Sequence, residues 1–194
     1  SGAHLGKTEA AVTARFRKDS IKLFLGRPNN FLVSMLAMSM LMNLKWSNDS
    51  TLEKMAAACL FRDMGLDQDH LTLYRYLTDS VMGILTPEEV EYVRGHPVRS
   101  LQMLKDNNVQ LYSVDEIVLE HHASPSGDGF PRKLKASNIT PMACVLILAE
   151  NLSAMLKTRP GVPIEQLWRE FYKLHDAGNF RIPLKALAST LQLS

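Results

Sequence analysis

The sequence predicts an all-α fold on three observations. Nearly every long segment carries apolar residues at helical spacing, helix-start signals recur along the chain, and no run shows convincing two-residue alternation. Residues 7–25 form an amphipathic stretch with Phe16, Ile21, Leu23 and Phe24 among Lys and Arg. Gly26-Arg27-Pro28 breaks it, and Asn29 or Asn30 can cap the next helix. That helix, FLVSMLAMSMLMNL over 31–44, is the most hydrophobic run. It is shorter than the roughly 20 apolar residues a bilayer span needs, and it contains Ser34, Ser39 and Asn43, so it reads as a buried core helix. Its methionines, Met35, Met38, Met40 and Met42, read as packing residues rather than metal ligands.

Ser47-Asn48-Asp49-Ser50 is a turn and cap before a helix over 52–64, and a further helix is expected over 71–85. Thr86-Pro87-Glu88-Glu89 combines a cap, a first-turn proline and acids at the positive helix end, and its helix should run into Lys105. Ser113-Val114-Asp115-Glu116 starts another helix, which delivers His121 and His122. The glycine- and proline-bearing stretch 124–137 is a loop. Thr140-Pro141 opens a second strongly apolar helix to about Leu156, broken at Arg159-Pro160-Gly161. Two shorter helices, over 163–175 and 183–193, close the chain. No internal repeat is visible.

The 194 residues suit one domain, or a domain with an extra helical arm, and 46% hydrophobic with 22% charged residues is ordinary for a globular chain. A net charge of +2 argues against general binding to nucleic acid or an anionic membrane, so neither DNA nor a membrane is an expected partner. Cys59 and Cys144 lie in apolar helical contexts and read as reduced core residues of a cytoplasmic domain. Ser1-Gly2-Ala3 reads as a tag remnant or a linker from an upstream domain, so His4 carries no weight.

The possible metal ligands, in chain order, are Asp63, His96, His121, His122 and Glu150. Imidazole is a common ligand for divalent transition metals, and two adjacent histidines can meet one ion where a helix end bends the backbone. Glu150 stands among apolar neighbours in VLILAENLSAML, where a carboxylate must be exposed, paired or metal-bound. Asp63 in CLFRDMGL is either a cap, an ion-pair partner or a ligand. Taken singly, His96 before Pro97 reads as a structural loop histidine, and His70 and His175 read as surface residues.

As a set the residues are more specific. Glu120 to Pro131, EHHASPSGDGFP, resembles the HHExxDGxGYP signature of HD-GYP proteins, a bacterial branch of the HD metallophosphohydrolases. Arg62-Asp63-Met64-Gly65-Leu66 stands where that family has HDxGK. Leu85-Thr86-Pro87-Glu88-Glu89 then matches LTxxE, and His96-Pro97 with Met103-Leu104 matches HPxxGxxIL. Leu148-Ala149-Glu150 stands for VAD. The resemblance runs from about Asn29 to Leu193 and implies an HD-domain helical bundle with additional HD-GYP helices over 29–194, preceded by a connector helix or linker over 1–28. It also implies an upstream sensor or receiver domain.

Active members are expected to hold two or three ions, iron or manganese, that activate a water for attack on a phosphodiester of cyclic di-GMP. By resemblance, Asp63 would bridge two ions, and His96, His121 and His122 match the histidines of one site. The other site departs from the family. Its first histidine falls near Asn29 or Asn30, the histidine of the HD pair is Arg62, and the terminal aspartate is Glu150. Leu66 replaces the phosphate-neutralising lysine, Ala123 the acid after the two histidines, Ser126 an aspartate that Asp128 can compensate, and Phe130 a tyrosine. One ion is therefore expected rather than two. Arg62 either supplies a fixed charge where an ion stood, paired with Asp63 or Glu150 and unable to generate hydroxide, or is simply drift in a pocket no longer in use.

Three functions compete: a degenerate signalling or interaction module that senses a nucleotide or partner, a cyclic di-GMP phosphodiesterase with a reduced metal site, and, weakest, a phosphohydrolase of another nucleotide. In the loop, Gly127, Asp128, Gly129, Phe130 and Pro131 resemble a docking surface for diguanylate cyclase domains. Arg132 and Lys133, with Lys135, offer positive charge to a phosphate or an acidic partner, or are simply solvated.

Overall fold

In the computed structural model the described residues are 30–67, 71, 82–107 and 113–193. The connector expected over 1–28, Asn29, His70 and most of the helix expected over 71–85 lie outside them. Seven α-helices are described: α1 Asn30–Met42, α2 Asp49–Phe61, α3 Pro87–Asp106, α4 Val114–Glu120, α5 Pro141–Thr158, α6 Ile164–His175 and α7 Arg181–Leu191. A 3-10 turn at Gly178–Phe180 leads into α7. There is no strand among the described residues.

Local signals explain most of the boundaries. Asn48 and Thr51 form a capping box at α2, and Thr86 and Glu89 form one at α3. Thr140 caps α5 ahead of Pro141. α4 starts differently from the expected cap. Ser113 sits in the left-handed region at φ 64 and makes no side-chain cap bond, so Asp115 and Glu116 in the first turn meet the positive helix end instead.

α1 and α5 are the centre of the bundle. They pack on each other, α2 and α7 flank α1, and α4 joins α2 and α3 to α5. Val33, Ala37, Met40 and Leu41 of α1 meet Leu146, Leu148 and Leu152 of α5 in one continuous core. Among the described residues, α5 is long and apolar enough to cross a membrane by length and composition alone. Its middle carries the buried Glu150 and Ser153, and it packs against five other α-helices and the 3-10 turn, as a central core helix does.

His175 is a correction to the surface reading. It is 5% exposed at the end of α6, its ring stacks on Phe171 at 4.1 Å, Nδ1 donates to the Phe171 carbonyl at 2.8 Å, and Nε2 accepts from the Asn151 amide at 3.1 Å. The strong amphipathicity of α6 carries it inward with Leu167, Trp168 and Phe171 on the same face. Burial lowers its pKa from the usual 6.5, against a smaller opposing effect of the Phe171 carbonyl. Between the lowered folded value and 6.5 the unfolded chain binds a proton that the folded chain does not. Stability of the metal-free chain should therefore fall as pH drops through 6.5, and His175→Leu should flatten that slope; urea midpoints at about pH 7.5 and about pH 5.5 measure both.

Candidate metal centre

Four ligand atoms, one each from Asp63, His96, His121 and His122, lie within 4.8 Å of one another. Asp63 stands just past the end of α2, His96 in the middle of α3, and the two adjacent histidines at the end of α4. His96 is thus a helical residue, not a loop histidine, and Pro97 is accommodated inside the same helix. All four are buried, with His122 the most exposed at 9%.

The approach of these elements rests on small residues and a few polar ties. A Cβ at Gly65 would lie 2.6 Å from both the His96 carbonyl and the Ser100 amide nitrogen, so only glycine lets the turn after Asp63 meet α3. Ser100 accepts from the Gly65 amide and donates to the Arg62 carbonyl, each at 2.8 Å. Glu120 accepts from the Thr140 amide and hydroxyl at 2.8 and 2.9 Å, which fastens the end of α4 to the start of α5. Gly129 crosses against the backbone of His122, Ala123 and Ser124 and sets the Phe130 ring on the His122 ring, 4.5 Å between centroids and 19° from parallel.

The ring orientations bear directly on metal binding. His96 Nδ1 meets the Val93 carbonyl at 2.6 Å, and His121 Nδ1 meets the Val118 carbonyl at 2.7 Å. A carbonyl only accepts, so each Nδ1 carries the hydrogen and each neutral ring points a bare Nε2 lone pair inward. Those two Nε2 atoms are 3.2 Å apart, and Asp63 Oδ1 lies 3.5 and 3.6 Å from them. A triangle of that size has its centre about 2.0 Å from each corner, the length of a bond from imidazole nitrogen or carboxylate oxygen to a first-row divalent ion. A proton between the rings is the other way to reconcile the lone pairs. Burial works against it, pushing the His96 pKa down despite the opposing hydrogen bond and charge of Asp63. The donor set therefore fits a divalent metal ion.

Glu150 does not join this cluster. It accepts from Arg62 Nε at 2.5 Å, and Arg62 is fully buried. The same guanidinium donates to Asn30 Oδ1 at 2.9 Å and to the Cys59 carbonyl, and its Nε lies 3.6 Å from Asp63 Oδ2. Asn30 opens α1, and its side-chain oxygen turns inward to Arg62. Leu66 is fully buried with Leu71 and Val93, so an apolar side chain closes that edge of the site.

The loop residues lie outside the ligand cluster. Arg132 and Lys133 are exposed. Lys133 lines a cleft of about 650 Å³ with Asp128, Gly129, Phe130 and Pro131 on one side and Glu91, Arg94 and Gly95 on the other. Hydrogen bonds from Ser126, then Ser124, hold the Asp128 carboxyl below the usual range. Gly127 takes a φ of 88, which favours glycine. Sequence reasoning missed Ser100, Glu120 and the orienting carbonyls of Val93 and Val118. Ser100 alone had a signal, four residues after His96 and so on the same helix face.

The HD domain profile matches residues 9–167. The chain belongs to the HD-domain family. Over 96 residues it is 34% identical to a cyclic di-GMP phosphodiesterase of Thermotoga maritima, covering 47% of this chain and 26% of the relative, so the chain spans about a quarter of that protein's length. The fold is similar to that of Bd1817, an HDG"Y"P protein from Bdellovibrio bacteriovorus, with a TM-score of 0.62 and 22% identity over 84% of this chain and 51% of that one. It is also similar to the HD domain of the L. monocytogenes phosphodiesterase PgpH, with a TM-score of 0.56 and 14% identity over 90% of this chain and 96% of that one.

In this HD domain, removing Arg62 should strand Glu150 in the core. Arg62→Met is expected to destabilise the fold by about 3–5 kcal/mol, as breaking a buried ion pair does, and Arg62→Lys should recover only part because an ammonium cannot reach the same partners with a fixed fork. Urea unfolding of the three proteins measures the order.

Proposed function

We propose that this HD domain holds one divalent ion, iron or manganese, through Asp63, His96, His121 and His122. It works as a signalling or interaction module that senses a nucleotide such as cyclic di-GMP, or a partner protein, without efficient turnover. The observation that carries the reading is Arg62, fully buried and bonded to both Asn30 and Glu150. The resemblance puts ligands of a second ion at Arg62, at Glu150 and at Asn29 or Asn30.

Such an ion, when bound, lowers the pKa of a water and neutralises charge on phosphate oxygens. Within the chain, Val93 and Val118 orient the imidazoles, Asp63 supplies negative charge, and Phe130 covers His122 on the side of the cleft. Arg62 contributes a permanent positive charge but no proton acceptor. The missing second ion should remove several kcal/mol of transition-state stabilisation, each 1.36 kcal/mol being about tenfold in rate.

The second reading is a slow cyclic di-GMP phosphodiesterase with a single metal. The compact four-residue cluster and the identity to the Thermotoga maritima phosphodiesterase favour it. The partly buried loop from Gly127 to Pro131, with the exposed Asp128, Arg132 and Lys133, would be the docking face for a diguanylate cyclase domain or another acidic regulator. An upstream sensor or receiver domain and a cytoplasmic setting complete the proposal.

The test is anaerobic loading with ferrous iron or manganese, followed by metal content and cyclic di-GMP turnover beside Asp63→Ala. We expect about one ion per wild-type chain, little in Asp63→Ala, and turnover no higher in wild type than in that control. Turnover that vanishes only in Asp63→Ala establishes the phosphodiesterase reading instead. Combining Asn30→His, Arg62→His and Glu150→Asp should raise the metal content toward two. A content that stays at one removes Arg62 from the second ion's place.

A further inference from the structure

Pro97 lies inside α3, where a proline ordinarily weakens a helix. Its lack of an amide hydrogen removes the helical bond that residue 97 would donate to the carbonyl four residues earlier, which is that of Val93. The proline ring also crowds that carbonyl. Val93 O is the atom that meets His96 Nδ1 at 2.6 Å. Pro97 and His96 are both buried, so solvent does not compete for either group.

His121 reaches the same arrangement by another route. Its Nδ1 meets the Val118 carbonyl three residues earlier, the same spacing as His96 to Val93. α4 ends at Glu120, so Val118 is among the last residues, whose carbonyls lack intrahelical donors. A helix end frees the acceptor for His121. In the interior of α3 no such end exists.

We infer that Pro97 is a positioning residue for the metal centre: it frees the Val93 carbonyl to take the Nδ1 hydrogen of His96 and so keeps His96 Nε2 bare and turned toward His121 and Asp63. The inference rests on the metal-binding reading of the cluster. It assigns to the proline a role separate from its packing. Restoring an amide hydrogen at position 97 lets the backbone compete for the Val93 carbonyl, loosening the ring and allowing the hydrogen to move to Nε2, the atom needed as a ligand.

Pro97→Ala and Pro97→Gly both restore the amide, and they differ in helix propensity, so the pair separates the hydrogen-bond effect from stability. Two readouts apply to the full chain. Nitrogen-15 shifts of labelled histidine report the tautomer of metal-free His96, and competition with a chelator reports manganese affinity. Wild type should show the hydrogen on Nδ1 of His96. Both variants should shift toward the Nε2 form and lose about tenfold or more in manganese affinity, the range for removing a group that orients a metal ligand, whichever way their thermal midpoints move. The tautomer of His121 should stay unchanged. Wild-type tautomer and wild-type affinity in the variants overturn the inference while leaving the metal reading intact. A wild-type chain that takes up no manganese overturns both.

Discussion

The guanidinium of Arg62 joins three parts of the chain in the core. It meets Asn30 at the start of α1, the Cys59 carbonyl near the end of α2, and Glu150 in the middle of α5. A buried charge needs a counter-charge and hydrogen bonds on several sides, and in this core they come from three separate helices. The planar fork of arginine specifies their relative placement more tightly than a lysine would. Asp63, the next residue, is held at the edge of this pair with its other oxygen toward the histidines. The ion pair thus sets the position from which the candidate metal centre is assembled.

Two neighbouring sites in one core have taken opposite electrostatic solutions. On the α1–α5 side, opposite charges meet directly, Arg62 against Glu150. On the α3–α4 side, neutral imidazoles and one carboxylate face a common point with their lone pairs. The first arrangement already pairs its charges through Glu150 Oε1, while Glu150 Oε2 has no hydrogen-bond partner among the described residues. The second has negative charge and lone pairs converging on one point, with Arg62 flanking it, which suits a divalent metal. This contrast is the physical basis for proposing one ion rather than two.

Backbone carbonyls decide which nitrogen His96 and His121 present. Such orienting groups commonly matter as much as the ligands themselves. Beyond them, Phe130 closes His122 from the cleft, Gly129 is the residue that lets the loop come close enough to do so, and Leu66 seals another edge with Leu71 and Val93. The cleft of mixed charge outside Phe130 therefore borders the centre without opening freely onto it.

The all-helical class was legible in the sequence because apolar spacing and capping residues are local signals. The boxes at Asn48 and Thr86 and the Thr140-Pro141 start mark their helices by chemistry within a few residues. The four residues of the candidate cluster were singled out through motif order, as was the arginine at position 62, where the resemblance has a histidine. Placement was not legible. Glu150 read equally as ligand or ion-pair partner, because its choice depends on Arg62, 88 residues away. His175 read as a surface residue because one histidine at a helix end carries no periodic signal of its own, yet α6 rolls it inward against Phe171. The acceptors at Val93 and Val118 are backbone atoms and carry no residue-type signature. Sequence determined which groups are present and which local elements carry them. Tertiary structure alone decided which of those groups share a buried volume, because desolvation, pairing and ring orientation depend on neighbours far apart in the chain.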